Sequence, residues 1–192
     1  MEIKIENAKA ALKTADESVK KVLLALLPEL KETEAQTAAN RPITERVKTF
    51  EDACREIGVD PEEYEDKFAN APADVMAFLK LRVICAALNE GWQPQFTEEE
   101  WRWYPWFYLC TEEELSVQND KWKANYVLIS IEDYSGDYAG FACAGSNSAP
   151  SNAGTYFGSR LCFKSEAIAT YCGKQFISLW ADFNLIRKGK EK

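Results

Sequence analysis

The sequence predicts an α+β fold: a helical N-terminal part, then a small antiparallel sheet closed by a C-terminal helix. Three observations carry this. Apolar residues recur at helical spacing through the first half, at 19–30 and again at 74–89. From residue 124 onward the pattern changes to short β-favouring runs at 126–131, 138–143 and 160–163. A last helical stripe follows Ser165-Glu166, made of Ile168, Cys172, Phe176, Leu179, Trp180 and Phe183. Helices segregated from strands in this way are the mark of α+β proteins.

Taken in order, Ile3 and Ile5 suggest a short extended start. Asp16 is a candidate N-cap for a helix whose single stripe is Val19, Val22, Leu23, Leu26, Leu27 and Leu30. Residues 31–43 are polar and aperiodic and contain Pro42, as a linker would. The expected organisation is therefore a helical segment 1–30, a linker 31–43 and an α+β domain 44–192. Thr49 and Asp52 have capping-box spacing for a helix that buries Phe50, Ala53 and Ile57 and stops at Gly58. Asp60-Pro61 restarts a short acidic helix, with proline in its favoured first position. The helix at 74–89 places Met76, Leu79, Val83, Ala86 and Ala87 on one face, with Gly91 beyond its end.

Residues 101–110, WRWYPWFYLC, are aromatic and β-favouring, and Pro105 among them predicts an edge strand or a bulge. On a strand Trp101 and Trp103 share one face, Tyr104 and Trp106 the other, so one set should be core and the other exposed. With six Trp in 192 residues, most should be packing residues. The triplets Glu98–100 and 112–114 are expected to be helix starts, where carboxylates suit the positive end of the helix dipole, rather than a hydrolytic pair or a metal site.

The chain has no histidine, which removes Ser-His-Asp and Cys-His nucleophiles, imidazole bases and imidazole metal ligands. No Cys-x-x-Cys, P-loop or dinucleotide-binding glycine pattern occurs. No cofactor or metal is expected. The six cysteines are expected to be reduced and buried. The net charge of −8 is uneven: residues 1–120 carry 14 basic and 25 acidic groups, residues 121–192 carry 9 and 6. An acidic main body disfavours nucleic acid as a partner. No apolar run approaches the roughly 20 residues of a membrane span, and the start lacks a signal-peptide layout. The expectation is a protein that is cytoplasmic where it is made and does not enter a membrane.

The most unusual stretch is 134–159, read as a loop region. Its 26 residues include five Gly, five Ala, five Ser, three Tyr and two Asn, with Asp137 its only charge. That is close to the composition of antibody paratopes, in which Tyr gives contact area at low entropic cost and Ser, Gly and Asn adapt their hydrogen bonds. Candidate contact residues are Tyr134, Asp137, Tyr138, Asn147, Asn152 and Tyr156. Arg160 is the nearest cation, able either to orient a carboxylate ligand or to pair with Asp137 or Glu132.

Three runs carry a resemblance: 41–58, RPITERVKTFEDACREIG; LNEGWQPQF at 88–96 with YPWFY at 104–108; and GSRLCFKSE at 158–166 with GKQFISLWADF at 173–183. Together they resemble a family of small proteins of gut Bacteroides-type bacteria and their phages and prophages, over nearly the whole chain. The resemblance implies association with a phage or its virion, and supplies no activity and no catalytic residues. The Tyr/Ser/Gly/Asn segment ending in Gly158-Ser-Arg160 is also similar to the ligand-binding region of C-type-lectin-like variable proteins. Here a long helix follows it.

The function expected from these observations is a non-enzymatic binding or structural module. Residues 134–159 would present an adaptable surface to a protein or a glycan, and the N-terminal helical part would dock on a larger assembly or on itself. Two alternatives remain. One is an enzyme using carboxylate or thiolate chemistry, with Cys143, Cys162 and Asp137 as candidates but no visible base. The other is an acidic regulatory protein that binds a basic surface.

Overall fold

The computed structural model describes residues 5–27, 30, 39–95, 97–150 and 157–188. The chain divides into two compact units, Met1–Arg46 and Val47–Lys192. The division lies at the end of the polar stretch expected as linker, a few residues beyond Ile43.

In the first unit, helices α1 (Ile5–Thr14) and α2 (Glu17–Leu26) are followed by a single turn, α3 (Ile43–Arg46). The extended start expected at Ile5 is not found: Ile5 opens α1, whose Ala8 and Leu12 supply the buried face. Asp16 caps α2 as expected, its carboxylate accepting the Val19 N–H at 2.9 Å. The single stripe expected on α2 is split. Leu23, Leu24 and Leu27 pack on Ala8, Leu12 and Leu30, whereas Val19, Val22 and Leu26 are exposed. A helical hairpin this small buries one side of each helix, and the stripe is wider than that side.

The second unit is the α+β body. Helices α4 (Phe50–Ile57), α5 (Pro61–Lys67) and α6 (Ala73–Leu88) come first. The Thr49/Asp52 capping box is complete, and Gly58 takes the left-handed C-cap conformation at φ 71° that glycine adopts without strain. Next come strand β1 (Trp101–Cys110), short helices α7 (Glu112–Ser116) and α8 (Asp120–Asn125), and strands β2 (Val127–Ser130) and β3 (Gly140–Pro150). A 3-10 turn at Ser159–Leu161 leads to α9 (Glu166–Gln175) and α10 (Ile177–Asn184). The expected closing helix is thus two helices that meet at Phe176.

The sheet is antiparallel with order β1-β3-β2. Its central strand starts within the run 138–143 expected as a strand and continues through residues 144–150, read from sequence as a loop; that continuation is a correction of the reading. Gly, Ser, Asn and Ala are poor strand formers. Here β1 pairs along the length of β3 and β2 pairs with its first four residues, Gly140–Cys143, and pairing overrides propensity. The register along β1 shifts between Trp106 and Phe107, so the irregularity expected from Pro105 is present one residue later. The strand expected at 160–163 is also corrected: it is the 3-10 turn plus a single bridge, in which Trp103 and Phe163 exchange N–H···O bonds of 3.1 and 2.9 Å.

Helices α9 and α10 close the sheet. Gly173 of α9 sits so near the sheet that a Cβ there would lie 2.7 Å from both Cys143 Sγ and Pro105 Cβ. Beside this contact is an aromatic core. Trp180 has no solvent exposure, and its ring neighbours are Phe107, Phe157 and Phe183 at 5.2–6.1 Å; Phe107 stacks on Phe141 at 4.7 Å. Phe183 in turn stacks on Phe78, which ties α6 into the same cluster. Rings at these spacings add to area burial by about 0.5–1.5 kcal/mol per pair.

Candidate binding cleft along the first strand

Burial along β1 does not follow the expected division into faces. Trp101 is exposed and Trp103 half-buried on one face; on the other, Arg102 and Tyr104 are buried while Trp106 and Tyr108 are 51% and 47% exposed. The 3-10 turn lies against the first half of β1, where Ser159 Oγ accepts the Arg102 Nη1 hydrogen bond at 3.0 Å and Phe163 pairs with Trp103. The second half of the same face is left open. Leu128 on β2, 41% exposed, is aligned with Tyr108 across the small buried Ala142.

Next to Trp106 lies a cleft of about 320 Å³. It is walled by residues 104–107 and Leu109 of β1, Phe141 and Asn147 of β3, Phe157, and Asn184 and Leu185 at the end of α10. The volume falls at the lower end of the range for small-ligand sites. The cross-strand partner of Trp106 is Gly145, and a Cβ built there would meet nothing within 4 Å, so the indole does not lie over that partner. The two amides have complementary capacity left over. Asn147 Oδ1 accepts the Ser148 N–H at 2.8 Å, leaving its NH2 to donate; Asn184 Nδ2 donates to the Trp180 carbonyl at 2.7 Å, leaving its oxygen to accept.

The sequence-derived contact residues do not form one surface. Tyr134 is buried, 8% exposed, and its hydroxyl donates to Asp182; it is therefore a structural residue and not a contact residue, a correction of the expectation. Asp137 and Tyr138 are exposed on the β2–β3 connection. Asn147 is exposed seven residues into β3, about 23 Å from Gly140 by strand rise, and lines the cleft. Asn152 and Tyr156 lie outside the described residues. Arg160 is exposed on the 3-10 turn and has no carboxylate partner among the described residues, so the expected pairing with Asp137 or Glu132 is not made. Sequence reasoning missed Tyr108, Asn184 and Leu128. Nothing in their residue types or spacing marks them in the sequence.

The thiols proposed for catalysis are not activated. All six cysteines are buried and free. Burial pushes the thiols of Cys143 and Cys162 up to about 11, and those of Cys85 and Cys172 well above the ordinary range, so each is held as the poorly nucleophilic thiol. Glu112, Glu113 and Glu114 begin α7 as expected, and Glu114 closes a capping box with Thr111. Glu98–100 do not begin a helix; Glu100 instead accepts the Gln95 N–H on both carboxylate oxygens, at 3.1 and 2.9 Å. Among the described residues no cluster of three acidic or cysteine ligands converges on a metal position, and no helix is long and apolar enough to cross a membrane. No family model, curated protein or solved structure matches this chain.

Proposed function

We propose that this protein is a non-enzymatic binding module that takes a glycan, or a hydroxyl-rich protein surface, on the open half of the first strand. The carrying observation is the conjunction of Trp106, half exposed beside a cleft, with one spare amide donor and one spare amide acceptor, Asn147 and Asn184. A sugar ring offers a C–H face that an indole covers, and each hydroxyl donates one hydrogen bond while accepting others. One donor and one acceptor flanking a flat aromatic wall fit that chemistry better than they fit an ion, because among the described residues no charged side chain lines the cleft. The buried thiols weigh against the thiolate-enzyme alternative. An acidic decoy for a basic surface would make no use of an uncharged cleft.

The exposed apolar row of Val19, Val22 and Leu26 on α2 supports docking of the helical part on itself or on a larger assembly. Association with a phage or virion rests on the sequence resemblance alone.

The test is a glycan array and a pull-down with the full chain, alongside Trp106→Ala and Asn147→Ala variants. Binding that is lost in both variants and little changed by salt supports the reading. Binding that survives both substitutions, or binding that disappears at moderate salt, overturns it.

A further inference from the structure

A second cavity, of about 580 Å³, lies elsewhere on the α+β body. Its walls come from the C-terminal half of α6, the segment that follows it and the 3-10 turn; Arg82, Trp92, Ser159 and Arg160 are the residues with chemistry to offer. Two facts distinguish it on a chain of net charge −8. Among the described residues no Asp or Glu lines it. Both Arg82 and Arg160 are exposed there without a carboxylate partner among the described residues, although 31 acidic residues are available to the chain.

The floor is rigid. Asn89, 5% exposed, donates from Nδ2 to the Cys162 carbonyl at 2.9 Å and accepts the Lys164 N–H on Oδ1 at 3.1 Å. Ser159 Oγ accepts from the guanidinium of Arg102, which has no solvent exposure, and so its own O–H remains to donate. The nearby Glu90 carboxylate is engaged by Lys164 at 2.8 Å. Trp92, half-buried, supplies an aromatic wall.

We propose that this cavity binds a small organic anion, a carboxylate or phosphate monoester carried on a flat ring. Arg82 and Arg160 hold the oxyanion, Ser159 donates a further hydrogen bond and Trp92 covers the ring. Guanidinium groups suit planar oxyanions because their N–H donors pair with two oxygens at once. The volume is in the range of small-molecule sites. The site is separate from the cleft beside Trp106, and neither reading depends on the other.

The experiment is calorimetric titration of the full chain with benzoate and with phenyl phosphate, using benzyl alcohol as the neutral control. Saturable binding of at least one anion, weakened by added salt and about tenfold by either Arg82→Gln or Arg160→Gln, is expected, with Val117→Ser, at an exposed residue that lines neither cavity, as an unaffected control. Preference for benzoate or for phenyl phosphate assigns the oxyanion. Both arginines are exposed, so the variants should fold, which circular dichroism verifies. No saturable binding of either anion up to about 10 mM, equal binding of benzyl alcohol, or unchanged affinity in the double variant overturns the proposal.

Discussion

Tyr134 donates its phenolic hydrogen bond to Asp182 Oδ1 at 2.5 Å, which joins the β2–β3 connection to α10. The same carboxylate oxygen receives Arg187 from Nε and Nη2, at 2.8 and 2.5 Å, and the Arg187 guanidinium lies over the Tyr134 ring at 5.3 Å. Backbone bonds from Ser135 N–H to Ile186 O and from Lys188 N–H to Asp133 O complete the seam. Tyr134→Phe removes one hydrogen bond to a charged group and keeps the ring. It should destabilise the second unit by about 1.5–3 kcal/mol, measured by urea denaturation. Ligand binding beside Trp106 should be unchanged.

Alkaline pH should unfold the protein through the same kind of group. Burial first, and Asp182 next, push Tyr134 up to about 12; burial does the same for Tyr171, whose hydroxyl donates to the Val47 carbonyl at 2.7 Å. The thiols of Cys143 and Cys162 are pushed up to about 11. In each case the unfolded chain ionises first, thiols near 9 and phenols near 10. The native state binds more protons between these values and its own pKa values, so stability is complete below pH 9 and falls as pH rises toward 12. Denaturation midpoints at pH 8, 10 and 11 should show this fall, and it should be shallower in Tyr171→Phe.

Local signals were legible where a residue type does one mechanical job. The Thr49/Asp52 box, the Gly58 cap, Pro61 at a helix start and Asp16 as N-cap all stand where the spacing placed them. The start of the central strand was legible as the run 138–143, but its Gly/Ser/Asn/Ala continuation was not, because there the strand character comes from pairing with the β1 backbone, distant in sequence. The same holds for the site. Trp106 and Asn147 could be picked out as residue types, but nothing in the local sequence separates the exposed Trp106 from the buried Tyr104 two residues before it. Tyr134 has paratope-like neighbours in sequence and a structural partner 48 residues away.

Two glycines with similar surroundings should respond differently to alanine. At Gly173 a Cβ would meet Cys143 Sγ and Pro105 Cβ at 2.7 Å, parts of a sheet that cannot shift without the core. Overpacking of that kind costs about 1–3 kcal/mol, while the helix-propensity gain of Gly→Ala returns about 1 kcal/mol. At Gly140 the 2.7 Å contact is Leu128 Cδ1, the far end of a flexible and 41% exposed side chain. Chemical denaturation should therefore find Gly173→Ala clearly destabilised and Gly140→Ala close to the parent.

The native protein should react slowly with a thiol reagent such as dithiobisnitrobenzoate at neutral pH, because all six cysteines are buried and those of lowest access are held protonated. Six thiols should appear in denaturant. A single thiol that titrates within seconds in the native state would restore the thiolate-enzyme alternative.

Asn89 allows a test that separates hydrogen bonding from volume. Its amide is used in both directions, donating to Cys162 O and accepting from Lys164 N. Asn89→Asp keeps the shape and the acceptor but turns the donor into a second oxygen facing the Cys162 carbonyl, in a site only 5% exposed. Above its folded-state pKa the aspartate is a buried charge opposite a carbonyl dipole, and the loss should exceed the roughly 1–3 kcal/mol of a simply unsatisfied group. Protonation restores an O–H that can donate to Cys162 O, so burial raises the aspartate pKa in the folded state. The deficit should therefore shrink as pH falls toward the unfolded value near 4. Asn89→Leu has no proton to regain, and its deficit should not change with pH in that range. Urea denaturation of both variants at pH 7 and pH 4.5 decides the matter: equal pH responses would mean that the Asn89 amide serves as packing and not as the bridge between α6 and the chain leading into α9.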